Sequence, residues 1–159
     1  MAEDKIPDYE EGKRPLFLRV LKGFILLGII YFFLSYLPSY IWYLKKYLPP
    51  GFPVMLIDIV SEIIHPLVPL LGFLIGVLVF LSVVFYMTKA YGPLLIMAGL
   101  VYSYYVYLLF HGGVIDLVFP EVFGAGSGLT ASLDLTIIMI LAMLPAILTI
   151  AKGLLLTFK

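Results

Sequence analysis

Three amino acids are absent from this sequence: cysteine, asparagine and glutamine. Without cysteine the chain can form no disulfide, and it offers no thiolate to a zinc ion or an iron–sulfur cluster. All three residue types are thermolabile, and proteins from hyperthermophiles tend to lose them. Their joint absence indicates a thermophilic source.

Charged side chains are also scarce. They make up 13% of the chain, against roughly 25% in soluble domains, whereas hydrophobic residues reach 63%. Ten basic residues balance ten acidic ones, so there is no basic surplus to bind the phosphates of a nucleic acid. A small soluble domain could not bury so much apolar surface. The composition therefore predicts an integral membrane protein whose first partner is the lipid bilayer, with no nucleic acid among its partners.

Apolar runs divide the chain into a polar tail and one membrane domain. Residues 1–15 are rich in charge and predict a cytoplasmic tail. Within residues 16–159, four apolar runs are near the length of about 20 residues that a helix needs to cross a bilayer. The predicted transmembrane helices cover residues 23–44, 66–88, 93–111 and 133–151. Residues 54–65 are too few to cross and mix acids with aliphatic residues, which predicts a short amphipathic interfacial helix. The expected fold class is therefore all-α, a four-helix transmembrane bundle with one interfacial helix.

Prolines and glycines are expected to shape these helices. Pro38, near the outer end of the first helix, and Pro145, in the middle of the fourth, should bend or unwind them. Gly72 and Gly76 permit another helix to approach closely, either within the chain or in a dimer. Residues 112–131 are rich in glycine and predict a flexible loop between the third and fourth helices.

The distribution of cations predicts the orientation in the cell membrane. Cytoplasmic loops of membrane proteins carry an excess of lysine and arginine. If the N-terminus is inside, eight cations lie on the inner side and only Lys45 and Lys46 on the outer side. The inner eight are Lys5, Lys13, Arg14, Arg19, Lys22, Lys89, Lys152 and Lys159. We therefore expect a multi-pass protein with both termini in the cytoplasm.

A group of acids and histidines on the predicted outer side is the sharpest candidate for chemistry. Asp58, Glu62 and His65 share a narrow arc of a helix, at about 100° per residue. The spacing Glu-x-x-His occurs in carboxylate-bridged di-metal proteins, and imidazole and carboxylate ligands suit a zinc or iron-type ion. His111, Asp116 and Glu121 fall on the same predicted side. The candidate metal ligands are Asp58, Glu62, His65, His111 and Asp116. The alternative is that the first three form only the water-facing stripe of an interfacial helix.

The third predicted helix is rich in tyrosine. Tyr104, Tyr107 and His111 form one stripe at helical spacing, whereas Tyr102 and Tyr105 point elsewhere. In lipid each hydroxyl needs a hydrogen-bonding partner, which favours a place inside the bundle or against another subunit. Such groups could also line a quinone site or a proton path, but tyrosine is commoner at the membrane interface.

No motif identifies a catalytic residue or a cofactor, so the sequence favours a non-catalytic role. The leading hypothesis is a small subunit or interaction partner within a larger membrane assembly, for example an energy-transducing complex. One alternative is a membrane-embedded enzyme that interacts with a metal or a quinone through the outer acids and histidines. The other is a channel or transporter formed by self-association, although no ionisable residue typical of coupled transport lies in the middle of a predicted helix.

Overall fold

The computed structural model describes residues 15–47, 64–86, 88–119 and 129–158, excluding the side chains at positions 41, 42, 44–46, 116–119 and 129–131. These ranges are mostly helical. The predicted tail, apart from Pro15, and most of the interfacial helix predicted for residues 54–65 lie outside them. Ile64 and His65, the end of that predicted helix, lie in a non-helical segment.

The first long helix is a composite of α1 (Leu16–Ile30), a π-turn (Tyr31–Tyr36) and α2 (Leu37–Tyr47). Pro38 accounts for the π-turn, because it has no N–H to donate to the Leu34 carbonyl and its ring crowds that oxygen. The disturbance expected at Pro38 takes the form of this π-turn before the proline, and the α-helix continues through Pro38 itself. The composite helix α1–α2 extends beyond the predicted residues 23–44 at both ends.

Three further long helices follow: α3 (Leu67–Val84), α4 (Tyr91–Leu109) and α5 (Thr136–Thr157). With the composite helix, they make four helices in the described chain that are long and apolar enough to cross a membrane. α5 begins and ends later than the predicted residues 133–151. It continues through Pro145, whose carbonyl accepts a hydrogen bond from the Thr149 hydroxyl at 2.7 Å. The bend expected at Pro145 stays a prediction.

The expectation of an all-α fold is wrong between α4 and α5. Residues 112–131, predicted to form a flexible loop, contribute to an antiparallel hairpin of β1 (Val114–Phe119) and β2 (Leu129–Asp134). The β1 sequence VIDLVF is rich in β-branched and aromatic residues, which favour a strand. The neighbouring glycines do not extend the loop but make the turn that leads into the strand.

A short left-handed segment joins α4 to the hairpin. His111, Gly112 and Gly113 have φ values of 49°, 74° and 101°. Glycine adopts such angles at little cost. At Gly113 a Cβ would also lie 2.7 Å from Thr136 Oγ1, so this position requires glycine. The Gly113 carbonyl accepts a hydrogen bond from the Leu135 amide at 2.6 Å, which ties the turn to the start of α5.

The helices pack in chain order: the composite helix against α3, α3 against α4, and α4 against α5. At one end, Arg19 Nη1 donates to the Tyr86 carbonyl at 3.2 Å, just beyond the C-terminus of α3. The helix dipole stabilises a cation at this position. Lys22, Lys89 and Lys152 lie toward the same end, which we call the basic end. The opposite end carries the β-hairpin, and we call it the hairpin end.

The buried core lies between the middle helices and toward the hairpin end. Val68 of α3 and Val106 of α4 are 0% and 2% exposed. Gly72 and Gly76 of α3 pack against the composite helix: a Cβ at Gly72 would overlap the Leu34 carbonyl, and one at Gly76 would lie 3.5 Å from Ile30. The close approach predicted from these glycines is therefore made within the chain.

Candidate functional site

The predicted metal ligands are only partly within the described residues. Asp58 and Glu62 lie outside them, and so does the side chain of Asp116, whose backbone pairs with Ser132 in the hairpin. His65 and His111 are described, and both lie at the hairpin end. No group of three or more potential metal ligands occurs among the described residues. The metal site therefore stays a prediction.

The two described histidines have different surroundings. His65 precedes α3, and its Nδ1 accepts a hydrogen bond from the Leu67 amide at 3.2 Å. It thereby satisfies one of the amides left without a partner at a helix start. His111 is exposed in the left-handed turn after α4. His65 thus has a local structural role that its spacing from Glu62 did not indicate.

The tyrosines of α4 separate into two surfaces, as their spacing predicted. Tyr104 and Tyr107 are each about half exposed, and the Tyr107 hydroxyl lies close to Gly112, next to His111 in the turn after α4. Tyr102 and Tyr105 stack with ring centroids 6.3 Å apart, and Tyr105 is buried in the core. Some hydroxyls of α4 therefore lie inside the bundle and others on its surface.

A cleft of about 840 Å³ lies between the composite helix and the start of α3, toward the hairpin end. One wall is a row of hydroxyl-bearing side chains, each four residues after the last. The row consists of Tyr31, Ser35, Ser39 and Tyr43, and the opposite wall consists of Pro66, Pro69, Leu70 and Phe73. We call this space the hydroxyl cleft.

The hydroxyl cleft combines donors on one side with an apolar surface on the other. The Ser39 hydroxyl donates to the Ser35 carbonyl at 2.8 Å, and the Tyr31 ring packs edge-on against Phe73 with centroids 6.1 Å apart. Within the described chain, the hydroxyls of Tyr31 and Tyr43 make no hydrogen bond. The described lining includes no carboxylate, imidazole or amine. Such a surface can bind a neutral ligand by hydrogen bonds and apolar contact.

A second, smaller cleft of about 240 Å³ is lined by all four long helices, and we call it the central cleft. It opens where the composite helix and α5, in the described chain, do not pack closely against each other. Its floor contains the small residues Ala98, Gly99 and Ala146, and its polar groups come from Tyr102 and Thr149. Small and hydroxyl-bearing residues are typical of interfaces between transmembrane helices.

Sequence reasoning missed both clefts. The row of hydroxyls is visible in the sequence as a four-residue period, but the period does not show that a cleft lies beside it. The central cleft has no such signal, because its lining comes from four separate helices. No protein-family model, curated protein or solved structure matches the chain.

Proposed function

We propose that the protein is a multi-pass membrane protein that serves as a non-catalytic subunit or interaction partner in a membrane assembly. Membrane insertion is supported by the outward surfaces of the long helices. In an apolar stretch of 18 residues within each long helix, the buried share of the residues is 33% in α3 and 28% in α4, but only 6% in the composite helix and 17% in α5. Exposing so much apolar surface to water would be unfavourable, whereas the same surface can face the acyl chains of lipids.

The proposed orientation has both termini in the cytoplasm of the cell. It is supported by the gathering of Arg19, Lys22, Lys89 and Lys152 toward the basic end, which would face the cytoplasm. Reporter fusions at Lys159 and within residues 112–131 test it. We expect a cytoplasmic reporter to be active at Lys159 and inactive in the hairpin segment; the reverse pattern would contradict the orientation.

The observation that carries the subunit role is the central cleft. An isolated four-helix bundle commonly closes around its core, but here the composite helix and α5 leave an opening over a floor of small residues. In membranes, close contact with such residues drives helix association, because lipid provides no hydrophobic force between helices. Thr149 and Tyr102 add hydroxyls that a partner helix could engage. The occupant that we propose is a side chain from a helix of another subunit, which packs across the mouth of the cleft between the composite helix and α5.

A pair of substitutions in α5 tests this role. Thr149→Trp fills the central cleft, whereas Leu148→Trp adds the same ring at the next residue, which is 70% exposed and outside the cleft lining. After gentle detergent extraction, native mass spectrometry should show other chains bound to the wild type and to Leu148→Trp. Thr149→Trp should reduce their recovery roughly tenfold, equivalent to about 1.4 kcal/mol of binding free energy.

The same measurement separates the alternatives. Only copies of this chain in the complex, together with solute flux in liposomes, would favour the channel or transporter. A stable monomer that retains a metal would favour the enzyme that uses the outer acids and histidines. For that alternative, Glu62→Ala and His65→Ala together should lower the metal content, and an unchanged content would leave these residues a structural role.

A further inference from the structure

The hydroxyl cleft has the chemistry of a ligand site that the subunit role does not require. Its four polar side chains come from the composite helix: Tyr31 and Ser35 lie within the π-turn, and Ser39 and Tyr43 follow it in α2. Ser35 lies within the π-turn, is 7% exposed and lines the cleft. π-turns are frequent at functional sites, and this one is held in place because Gly72 packs against the Leu34 carbonyl.

The cleft favours a neutral ligand that accepts hydrogen bonds. No charged side chain is among its described lining residues, and an ion would lose its hydration without compensation. Among the described residues, the Tyr31 and Tyr43 hydroxyls donate to no other group. On the other wall Pro66 and Pro69 have no amide hydrogen, and Leu70 is apolar. The ligand must therefore bring its own acceptor oxygens and also an apolar body.

The aromatic side chains of the cleft narrow the class of ligand further. Phe73 and Tyr31 supply aromatic surfaces on which a flat ring can pack, and the cleft is open on one side, where an apolar tail could extend into lipid. The volume of about 840 Å³ is within the range of roughly 300–1,000 Å³ found for small-molecule sites.

We infer that the hydroxyl cleft binds a quinone-type ligand, with carbonyl oxygens that accept hydrogen bonds from the hydroxyls of Tyr31, Ser35 and Tyr43. The inference concerns binding alone and includes no electron transfer. The inference does not depend on the central cleft, so a negative result here would not contradict the subunit role. An ester-bearing lipid offers similar carbonyl acceptors without the flat ring, and the experiment distinguishes the two.

Trp42 makes the inference directly testable. It is the only tryptophan in the sequence and immediately precedes Tyr43 in it, and bound quinones quench indole fluorescence. A para-benzoquinone with a short alkyl chain, titrated into the purified full-length protein in detergent, should quench this fluorescence to saturation. Dioctanoylglycerol, an ester lipid without a ring, should not displace it at equal concentration.

Matched tyrosine variants locate the site. The pair Tyr31→Phe and Tyr43→Phe removes two donors from the cleft and should weaken binding roughly tenfold. The pair Tyr36→Phe and Tyr40→Phe makes the same chemical change on the same helix, where these two exposed rings stack 5.9 Å apart outside the cleft lining. It should leave the affinity unchanged.

A variant that keeps every aromatic residue is the control for indirect effects of the tyrosine substitutions on Trp42 fluorescence. Ser35→Ala removes a hydroxyl from the π-turn and should weaken binding several-fold, with the thermal unfolding midpoint confirming an intact fold. Quenching that never saturates, or that is equal in the two tyrosine pairs, would overturn the inference. Displacement by dioctanoylglycerol at equal concentration would assign the cleft to ester lipids instead and overturn the quinone class.

Discussion

Two of the packed helix pairs of this protein, α4 with α5 and the composite helix with α3, achieve close contact by different means. Between α4 and α5, small residues occur on both helices, with Gly92 against Gly153 and Gly99 against Ala146. On each helix the two members are seven residues apart, so both helices keep a regular α-helical form along the contact. Between the composite helix and α3, small residues oppose larger groups: Gly23 lies beneath the Phe80 ring, and Gly72 beneath the Leu34 carbonyl.

This difference shows how a local irregularity can create a binding surface. A seam of small residues on two regular helices lets the backbones approach along its length and leaves little space between them. The composite helix instead widens at the π-turn, places one carbonyl against Gly72 and diverges from α3 beyond it. The hydroxyl cleft occupies the space on that side. A regular seam thus favours stability, whereas an interrupted one leaves room for a ligand.

The largest expected effect is at the point where the composite helix and α3 approach each other most closely. Gly72→Ala should lower the free energy of unfolding by about 2–3 kcal/mol, because its Cβ would overlap backbone atoms of Leu34 that cannot rotate away. Gly76→Ala is the control: its Cβ would meet Ile30 at an ordinary 3.5 Å, so stability should stay the same or rise by up to about 1 kcal/mol. Unfolding in mixed micelles measures both, and equal losses would contradict the comparison.

The contact between α4 and α5 should be slightly more tolerant of one added methyl group. In Gly153→Ala the Cβ would lie 2.8 Å from the Gly92 carbonyl oxygen and 2.8 Å from Ile96 Cγ1, and the Ile96 side chain can move. We expect a loss of about 1–2 kcal/mol in the same assay. If Gly153→Ala is neutral, the two helices are not in backbone contact and the comparison of the two pairs fails.

A glycine outside both contacts should respond in the opposite direction. Gly28 in α1 has nothing within 4 Å of an added Cβ. Gly28→Ala should raise the free energy of unfolding by about 0.5–1 kcal/mol, because alanine loses less backbone entropy in a helix. A loss of stability, or dissociation of a bound chain, would show instead that a partner helix contacts this position.

The smallest expected effect is at the junction of the hairpin with α5. Hydrogen bonds from the Thr136 side chain and from its amide, at 2.9 Å, lower the pKa of Asp134 below the usual 3.8. Because the folded pKa is lowered, this contribution to stability is present above the ordinary pKa and is lost as the pH falls through the folded value. Amide hydrogen exchange at Thr136 should therefore accelerate in strong acid.

Asp134→Asn provides the matched control for the junction. The amide oxygen still accepts a hydrogen bond from Thr136 but does not titrate in this range. Exchange at Thr136 should then lose its dependence on pH below about 4, the ordinary aspartate pKa, after correction for intrinsic exchange. The same acid response in both proteins would assign the effect to another group.

Several features of the candidate sites were predictable and others were not. The spacing of Tyr104 and Tyr107 was enough to place both on the surface of α4, because a helix repeats every 3.6 residues, but α4 ends before His111, which lies in the left-handed turn. His65 was expected on a helix with Glu62 but accepts a hydrogen bond from the Leu67 amide, a contact that depends on where α3 begins. The hydroxyl row could be read from its period, but not the apolar wall opposite it, because Phe73 and Leu70 belong to a separate helix.

The sequence by itself determined the composition, the four long apolar helices, the close-packing glycines and the presence of an irregularity associated with Pro38. These properties follow from local chemistry: side-chain hydropathy, the missing proline N–H and the lack of a glycine Cβ. Only the tertiary structure decided that residues 114–119 and 129–134 pair as strands, since β pairing joins segments across an intervening loop. It alone also decided that the composite helix and α5 leave a central cleft, because that opening depends on the relative positions of four helices, which no local pattern specifies.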